Sequence, residues 1–437
     1  MPDSLTDRLV AAYRGACAAI PDARRDAHMQ YCIDHAARFY NVAHLARFRP
    51  ALAALVPEVA GGRMLDLCAG DGHWSFCLSP YVQKVYCLDL SYAIIQLAAD
   101  IGERLGHEAP ATFTCGTAYA LPFPDGCFDS VVVHSALHLI DRERTLAEIR
   151  RVLAPSGFLY CGVTGPGRIH AALGFLSEKE AQGAANRRLL ANLRILTADA
   201  IFRAGVAPPK FSTTKAPTVE EMSFALRCYG FEPRDGPSIQ DYMPGQTEWQ
   251  NRTAFPATFD VMGRRNGVDG TDALPGPAAL IEGGLPRLAA ATLNDAAACP
   301  RLRLYAAVKI ADDGPPDFRL VARGLEAARN EAERCMMTGL VALAGREYGP
   351  ALKAFTELGG DENWPDAPYL AVVAMLCANR HRPAQRGFAA LRDAEPHRLR
   401  SWVGLLHALY LMEDPRAVLR EGWALERALA VGSVTAL

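Results

Sequence analysis

Arg63-Met64-Leu65-Asp66-Leu67-Cys68-Ala69-Gly70-Asp71-Gly72 decides how the chain is read. An apolar run ending in an acid, a small-residue turn and then helix-compatible His73-Trp74-Ser75-Phe76 reads as strand, loop, helix. In a parallel sheet that loop lies at the strand's carboxyl end, where open α/β sheets bind ligands. Gly70 and Gly72 let backbone approach a ligand closely and adopt positive φ without a Cβ penalty. The next strand, Lys84-Val85-Tyr86-Cys87-Leu88-Asp89-Leu90, also ends in an acid, near the spacing of a ribose-binding carboxylate. These features point to a nucleoside-type cofactor. Two glycines also suit a tight turn that binds nothing, so the downstream sequence must decide.

Size and charge bound the answer. A chain of 437 residues is expected to form two or three domains. With 46 basic against 48 acidic residues the formal charge is −2, which gives no global field for nucleic acid or anionic lipid. The 12 cysteines form no CxxC pair, and Cys68, Cys87, Cys115 and Cys161 fall in or beside predicted strands, as small apolar residues do. Met1-Pro2-Asp3-Ser4 opens no signal segment, and no apolar run approaches the ~20 residues that span a bilayer. The expectation is a cytoplasmic protein with no nucleic-acid partner, no membrane partner and no metal, since no His/Asp/Glu cluster has ligand spacing.

Strands at 64–67, 84–89, 111–115, 128–133 and 157–163 alternate with helices at 91–104 and 141–153. Near-continuous apolar strands in this order imply a parallel sheet covered on both faces, an α/β doubly wound, Rossmann-like fold. Strands near 231–240 and 257–264 would complete a seven-stranded sheet, the final pair antiparallel. Arg301 to Ile310 competes with 257–264 for the seventh position.

Residues 63–163 resemble the core of class I S-adenosylmethionine-dependent methyltransferases, most like the broad methyltransferase type 11 group. Four stretches carry the resemblance: Leu65 to Gly72; Leu88-Asp89-Leu90-Ser91; Gly116 to Asp125 leading into Phe128-Asp129; and Leu137-His138 through Glu148-Ile149-Arg150-Arg151-Val152-Leu153-Ala154-Pro155-Ser156-Gly157. The resemblance implies S-adenosyl-L-methionine as cofactor. Asp66, Leu67, Cys68, Ala69, Gly70 and Gly72 would wrap its methionine part, and Asp89 would accept both ribose hydroxyls. Leu90 would lie on the adenine face, Thr117 and Ala118 would edge the base, and His134, just past the fourth strand, would face the methyl donor. Cys68 stands where the family usually has its first loop glycine, and Thr117 where an acid commonly meets the adenine amino group.

The flanks read as helices. Residues 1–60 form a helical cap in which Leu5, Leu9, Tyr13 and Ala16 share a face, while Tyr31, His35, Phe39 and Tyr40 make an aromatic stripe suited to core packing or to a lid. Residues 61–265 are the methyltransferase-like domain, with a helical insertion at 168–215, where the family commonly builds part of its substrate wall. Thr218 precedes Glu221 by three, a capping box opening helix 219–228. Residues 266–318 are a Gly/Pro/Ala-rich linker or accessory segment. From 319 to 437 the chain repeats: Ala351 and Phe355 recur as Ala384 and Phe388, then Ala417, and Pro350, Pro383 and Pro415 keep a similar interval. This resembles tetratricopeptide repeats, whose period is ~34 residues, and implies an all-α domain that recruits a protein partner.

The functional expectation is methyl transfer to an oxygen or nitrogen acceptor on a small molecule, glycan or protein. His134 is the candidate catalytic base; His138 fits better as a packing histidine, and Asp241 with Tyr242 is an alternative. A non-catalytic S-adenosylmethionine-binding scaffold or sensor acting through its repeats is the competing reading. A dinucleotide oxidoreductase is disfavoured because the loop lacks GxGxxG spacing.

Overall fold

The structure, a computed structural model, describes residues 3–22, 26–37, 40, 45, 49–106, 111–165, 193, 217–236, 258–266, 274–292, 328, 330–431 and 433–434. It divides into two compact units. One comprises residues 1–164, 217–242 and 258–274; the other comprises 165–216, 243–257 and 275–437.

The first unit is built on seven strands: β1 (Arg63–Leu67), β2 (Lys84–Asp89), β3 (Ala111–Cys115), β4 (Phe128–His134), β5 (Leu153–Thr164), β6 (Phe231–Asp235) and β7 (Thr258–Arg265). Their order is β3-β2-β1-β4-β5-β7-β6. The first five run parallel, and β7 is antiparallel to both β5 and β6. Thr258–Arg265 therefore takes the position that 302–310 was expected to contest; the latter stretch lies outside the described residues. The chain leaves β1 toward β2 on one side and crosses to β4 on the other, so a crevice opens at the carboxyl ends between them.

Val131, Val132 and Val133 are fully buried in the middle of the sheet, as an apolar run covered on both faces requires. One face carries Met64, Val132, Phe158, Tyr160 and Met262 into a single apolar cluster with the N-terminal helices α1 (Asp3–Ala19), α2 (Ala27–Ala36) and α3 (Arg49–Val59). Leu5, Leu9, Tyr13 and Ala16 are all buried there. The N-terminal helices thus belong to the core of this unit rather than lying on it as a separate cap. Glu58 on α3 pairs with Arg234 on β6 and Arg264 on β7. Burial alone would raise its carboxyl pKa, but the two guanidinium groups hold it below the usual range.

Short helices follow the strands: α4 (His73–Leu78), α5 (Tyr92–Leu105), α6 (Arg142–Val152) and α7 (Val219–Cys228). Ser91 caps α5 and Asp141 caps α6, each accepting a backbone N–H three residues on. The capping box forms at α7: Glu221 N donates to Thr218 Oγ1 at 3.2 Å, and Thr218 N to Glu221 Oε2 at 2.9 Å.

In the second unit, part of the expected linker is helical, as α8 (Pro277–Glu282) and α9 (Pro286–Thr292), with Leu280, Leu285 and Ala289 fully buried. Six further helices pair in order: α10 (Glu331–Ala344) with α11 (Tyr348–Glu357), α12 (Ala367–Cys377) with α13 (His381–Ala394), and α14 (Leu399–Leu411) with α15 (Pro415–Ala430). Ala351, Phe355, Ala384 and Phe388 are fully buried. A Cβ on Gly339 would lie 2.6 Å from the Phe355 ring, so glycine there lets the paired helices close on the aromatic ring. Of the 168–215 insertion, only Leu193 is described; it is buried in the apolar cluster of these C-terminal helices, so at that point the insertion feeds the second core. Among the described residues no helix is long and apolar enough to cross a membrane.

Candidate functional site

The loop after β1 is held from three directions. Asp66, 2% exposed, receives at one carboxylate oxygen both the backbone N–H (3.1 Å) and the hydroxyl (2.6 Å) of Ser75 on α4. Burial pushes its carboxyl pKa up to about 6, against the Ser75 bonds that lower it. Ala69 N donates to the Leu88 carbonyl at 3.0 Å, tying the loop to β2. From the N-terminal side, the Tyr40 hydroxyl donates to the Asp71 carbonyl at 2.7 Å, and the Tyr40 ring stacks on Tyr13 with centroids 5.1 Å apart. Tyr40 is the described aromatic of the stripe that reaches the loop; Phe39 lies outside the described residues.

The loop itself needs left-handed backbone at Cys68 (φ 58°), Gly70 (φ 55°) and Gly72 (φ 79°). The two glycines serve different ends. A Cβ on Gly70 would meet only Ile94 Cδ1, at 3.9 Å, so this backbone borders open space. A Cβ on Gly72 would strike the Phe76 ring at 2.9 Å, and Gly72 N donates back to Ala69 O, so glycine is required there to start α4. Leu67 is fully buried and contributes no accessible side chain.

Asp89 ends β2 beside this loop. Its Oδ2 accepts Gly70 N at 3.0 Å and its Oδ1 accepts Ser91 N at 2.9 Å. Both oxygens are therefore engaged before any ligand arrives, so ribose hydroxyls would share them with Gly70 and Ser91. A carboxylate offers about four lone-pair sites, so acceptor capacity remains. Cys32 on α2 is buried beside Ser91, with its thiol pKa raised by burial. Leu90 is 76% exposed, an apolar surface left open next to the carboxylate.

At the end of β3, Gly116 N donates to the Asp89 carbonyl, Thr117 Oγ1 accepts Tyr119 N at 3.2 Å, and Ala118 is buried. Residues 121–125, farther along this connection, are pinned by α6. Leu121 N donates to Glu148 Oε2 at 2.6 Å, and Arg151 donates to the carbonyls of Leu121 and Phe123, to Asp125 and to Glu148, all within 2.9 Å. Glu148 and Arg151, which stand out in the sequence without an assigned role, thus act as a clamp on that loop.

His134 is the last residue of β4 rather than a residue beyond it. Its ring centroid lies 5.1 Å from that of Trp74 and 6.3 Å from that of Tyr160, nearly parallel to the latter. Trp74 and Tyr160 are buried while His134 is partly exposed, so the imidazole is the accessible edge of an aromatic stack. His138 is buried, in keeping with packing. Asp241 and Tyr242 lie outside the described residues. Two pairings escaped the sequence reading: the bond from Tyr40, named there only as part of the aromatic stripe, to Asp71, 31 residues away, and the Tyr160–Asp260 pair, 100 residues apart, for which no local spacing exists.

These features fit a nucleoside cofactor: open space beside the Gly70 backbone, a carboxylate with remaining acceptor sites, and an exposed leucine beside it. Residues 65–161 match the family described as "Methyltransferase domain". These residues form a methyltransferase domain. The domain is similar to the uncharacterized methyltransferase YcgJ of Bacillus subtilis, 36% identical over 96 residues, which are 22% of this chain and 38% of that protein. It is also similar to the demethylmenaquinone methyltransferase of Lactococcus lactis, 39% identical over 110 residues, 24% of this chain and 42% of the relative. The aligned stretch thus spans about two fifths of either relative's length. The crystal structure of the Bacillus YcgJ protein matches at 18% identity and a TM-score of 0.34, over 50% of this chain and 99% of that one.

Proposed function

We propose that the protein transfers a methyl group from S-adenosylmethionine to an oxygen or nitrogen acceptor on a small molecule, glycan or protein, its C-terminal helix pairs recruiting the substrate or a partner. The observation that carries this reading is Asp89, fixed by Gly70 and Ser91 at the carboxyl edge of the sheet with acceptor capacity to spare. When bound, S-adenosylmethionine supplies an electrophilic methyl carbon, whose bond to sulfur breaks with the electron pair staying on sulfur.

The chain's own residues do the rest. Asp89 accepts the ribose hydroxyls on its remaining lone pairs, Leu90 covers one face of the base, and Thr117 with Ala118 borders its edge. Asp66 holds the loop from below through Ser75, and backbone at Cys68, Ala69 and Gly70 lines the methionine end. Displacement at a methyl carbon needs positioning and exclusion of water above all. His134, partly exposed at the end of β4, takes the acceptor's proton.

Formation of S-adenosylhomocysteine, measured over a panel of hydroxyl- and amine-bearing small molecules, glycans and proteins, tests this. Turnover with a member of the panel, lost in Asp89→Ala, is the expected result. Tight cofactor binding with no turnover across the panel would favour the scaffold reading instead.

A further inference from the structure

On the sheet face that carries the aromatic stack, His134, Gly162 and Asp260 are registered opposite one another on β4, β5 and β7. Residues directly opposite in a ladder point to the same face, so the three form one row across the sheet. The middle position has no side chain, and the imidazole occupies its space. A Cβ on Gly162 would overlap Cδ2 of His134 and come within 2.8 Å of Nε2. The Cδ2–Nε2 edge of His134 therefore lies over Gly162, the residue that separates it from Asp260.

Asp260 is 8% exposed, and its Oδ1 accepts the Tyr160 hydroxyl at 2.9 Å. Tyr160 sits two residues before Gly162, on the same face, with its ring parallel to the imidazole. Strands about 4.8 Å apart put the His134 and Asp260 backbones about 10 Å apart along the row. An imidazole leaning across a glycine and a carboxylate reaching from the other side can close that distance. Burying a carboxylate is costly unless it is hydrogen-bonded or paired, and an imidazolium in the same row is a partner of the right charge.

We propose that Asp260 is a positioning residue for His134: with Tyr160 and the side-chain-free Gly162, it holds the imidazole over β5 and favours its protonated form. This rests on the methyl-transfer reading only for what the proton transfer serves. In that reaction the neutral imidazole takes the proton of the acceptor's O–H or N–H as the new bond to carbon forms, Asp260 stabilises the resulting imidazolium, and the proton then passes to water. Besides Tyr160 and Asp260, the charged or titratable groups on this face among the described residues are Asp66 on β1, bonded to Ser75; Cys87 on β2, beside the same serine; His73 on α4, paired with Asp71; Cys77 on α4; Tyr40, bonded to the Asp71 carbonyl; and, toward the other end of the strands, Arg234 and Arg264, paired with Glu58. Asp260 is thus the carboxylate in register with His134.

The test needs neither cofactor nor acceptor. Histidine ring carbons of the ligand-free full chain are labelled and titrated by NMR, and the His134 signal is identified as the one missing in His134→Gln. An opposite charge within about 4–6 Å favours the charged form, so if the carboxylate reaches the imidazole across Gly162, Asp260→Asn, which keeps an acceptor for Tyr160, is expected to lower the His134 pKa by about 1 unit or more. Tyr160→Phe removes a bond that disperses the carboxylate's charge and is expected to raise the pKa by about half a unit. If Asp260→Asn fails to fold, the Tyr160→Phe shift decides. An unchanged His134 pKa in a folded Asp260→Asn protein, or in Tyr160→Phe where that variant decides, overturns the proposal. Titration of the wild-type chain with S-adenosylmethionine separates the two claims: absence of binding removes the methyl-transfer reading, while the NMR shift still establishes the Asp260–His134 coupling. With an acceptor in hand, the acid limb of the pH–rate profile should move down in Asp260→Asn by the same amount.

Discussion

Gly70 N donates to Asp89 Oδ2 at 3.0 Å, joining the turn after β1 to the last residue of β2. The carboxylate at the centre of the site is therefore also a structural tie, and substitutions there act on the loop as well as on the ligand. Its partner Ser91 N fixes the other oxygen, so the carboxylate plane is set in the ligand-free protein. Preorganisation of this kind lowers the ordering cost of binding.

Asp66 gives the fold a pH dependence of unusual sign for a carboxylate. Its folded-state pKa of about 6 lies above the ordinary value of 3.8 because burial disfavours the charged form. The associated stability is fully present below the unfolded pKa and is lost as pH rises through the folded one, a window of about pH 4 to 6. The size is on the order of 2–3 kcal/mol. Denaturant titrations between pH 4 and 7 should show this decline in the ligand-free protein, and Asp66→Asn, which keeps an acceptor for Ser75, should flatten it.

Cys68 occupies left-handed backbone at φ 58°, where a side chain is strained by about 1–2 kcal/mol. Glycine removes that strain but adds unfolded-state entropy of roughly 0.5–1 kcal/mol. Cys68→Gly is expected to leave stability unchanged or raise it by about 0.5 kcal/mol, with S-adenosylmethionine affinity retained. A clear loss in chemical denaturation would show that packing of the thiol outweighs the backbone.

The clamp on residues 121–125 predicts an acid-sensitive contribution of the ordinary sign. Arg151 bonds hold the Glu148 carboxyl below its usual range, so the stability they give is present at neutral pH and lost as pH falls through the folded Glu148 pKa. Arg151→Ala should cost about 2 kcal/mol at pH 7, a discounted figure for charge-assisted bonds on a part-exposed group. The difference from wild type should shrink below about pH 4, near the reference pKa of glutamate. A cost that is the same at both pH values would contradict the ion-pair account.

The sheet was legible because its strands are near-continuous apolar runs, and Asp66 and Asp89 were legible because acids ending such runs stand out. The reach of β5 back to Leu153 was not, since Pro155 and Ser156 read as a turn. Tyr40–Asp71 and Tyr160–Asp260 are pairings made by the fold, without local pattern. The repeat signal was legible in Ala351, Phe355, Ala384 and Phe388, yet its turns were hidden. Arg346, Asn379 and Glu413 each take left-handed φ between paired helices, and the next residue's N–H reaches back to Ala342, Met375 or Leu409. This is the Schellman closure usually marked by glycine, and none of the three residues is one.

Those turns yield a prediction of their own. Arg346→Gly and Glu413→Gly relieve left-handed strain and should each stabilise the C-terminal helices by about 0.5–1 kcal/mol, while Asn379, already tolerant of that conformation, should gain less. Denaturant unfolding monitored by far-ultraviolet circular dichroism checks the order; destabilisation by either glycine would mean the side chains hold the turn.

The most direct measurement is calorimetric titration of S-adenosylmethionine into the full chain and into Asp89→Ala, with folding of both verified by circular dichroism. Charge-assisted hydrogen bonds are worth about 1.5–3 kcal/mol each and seldom add fully. The variant should therefore bind roughly tenfold to a thousandfold more weakly, with Asp89→Asn between it and wild type. Some thermal stability should be lost as well, because Gly70 and Ser91 lose their acceptor. Unchanged affinity in a folded Asp89→Ala protein would contradict the assignment of this carboxylate to the cofactor, and with it the proposed methyl transfer.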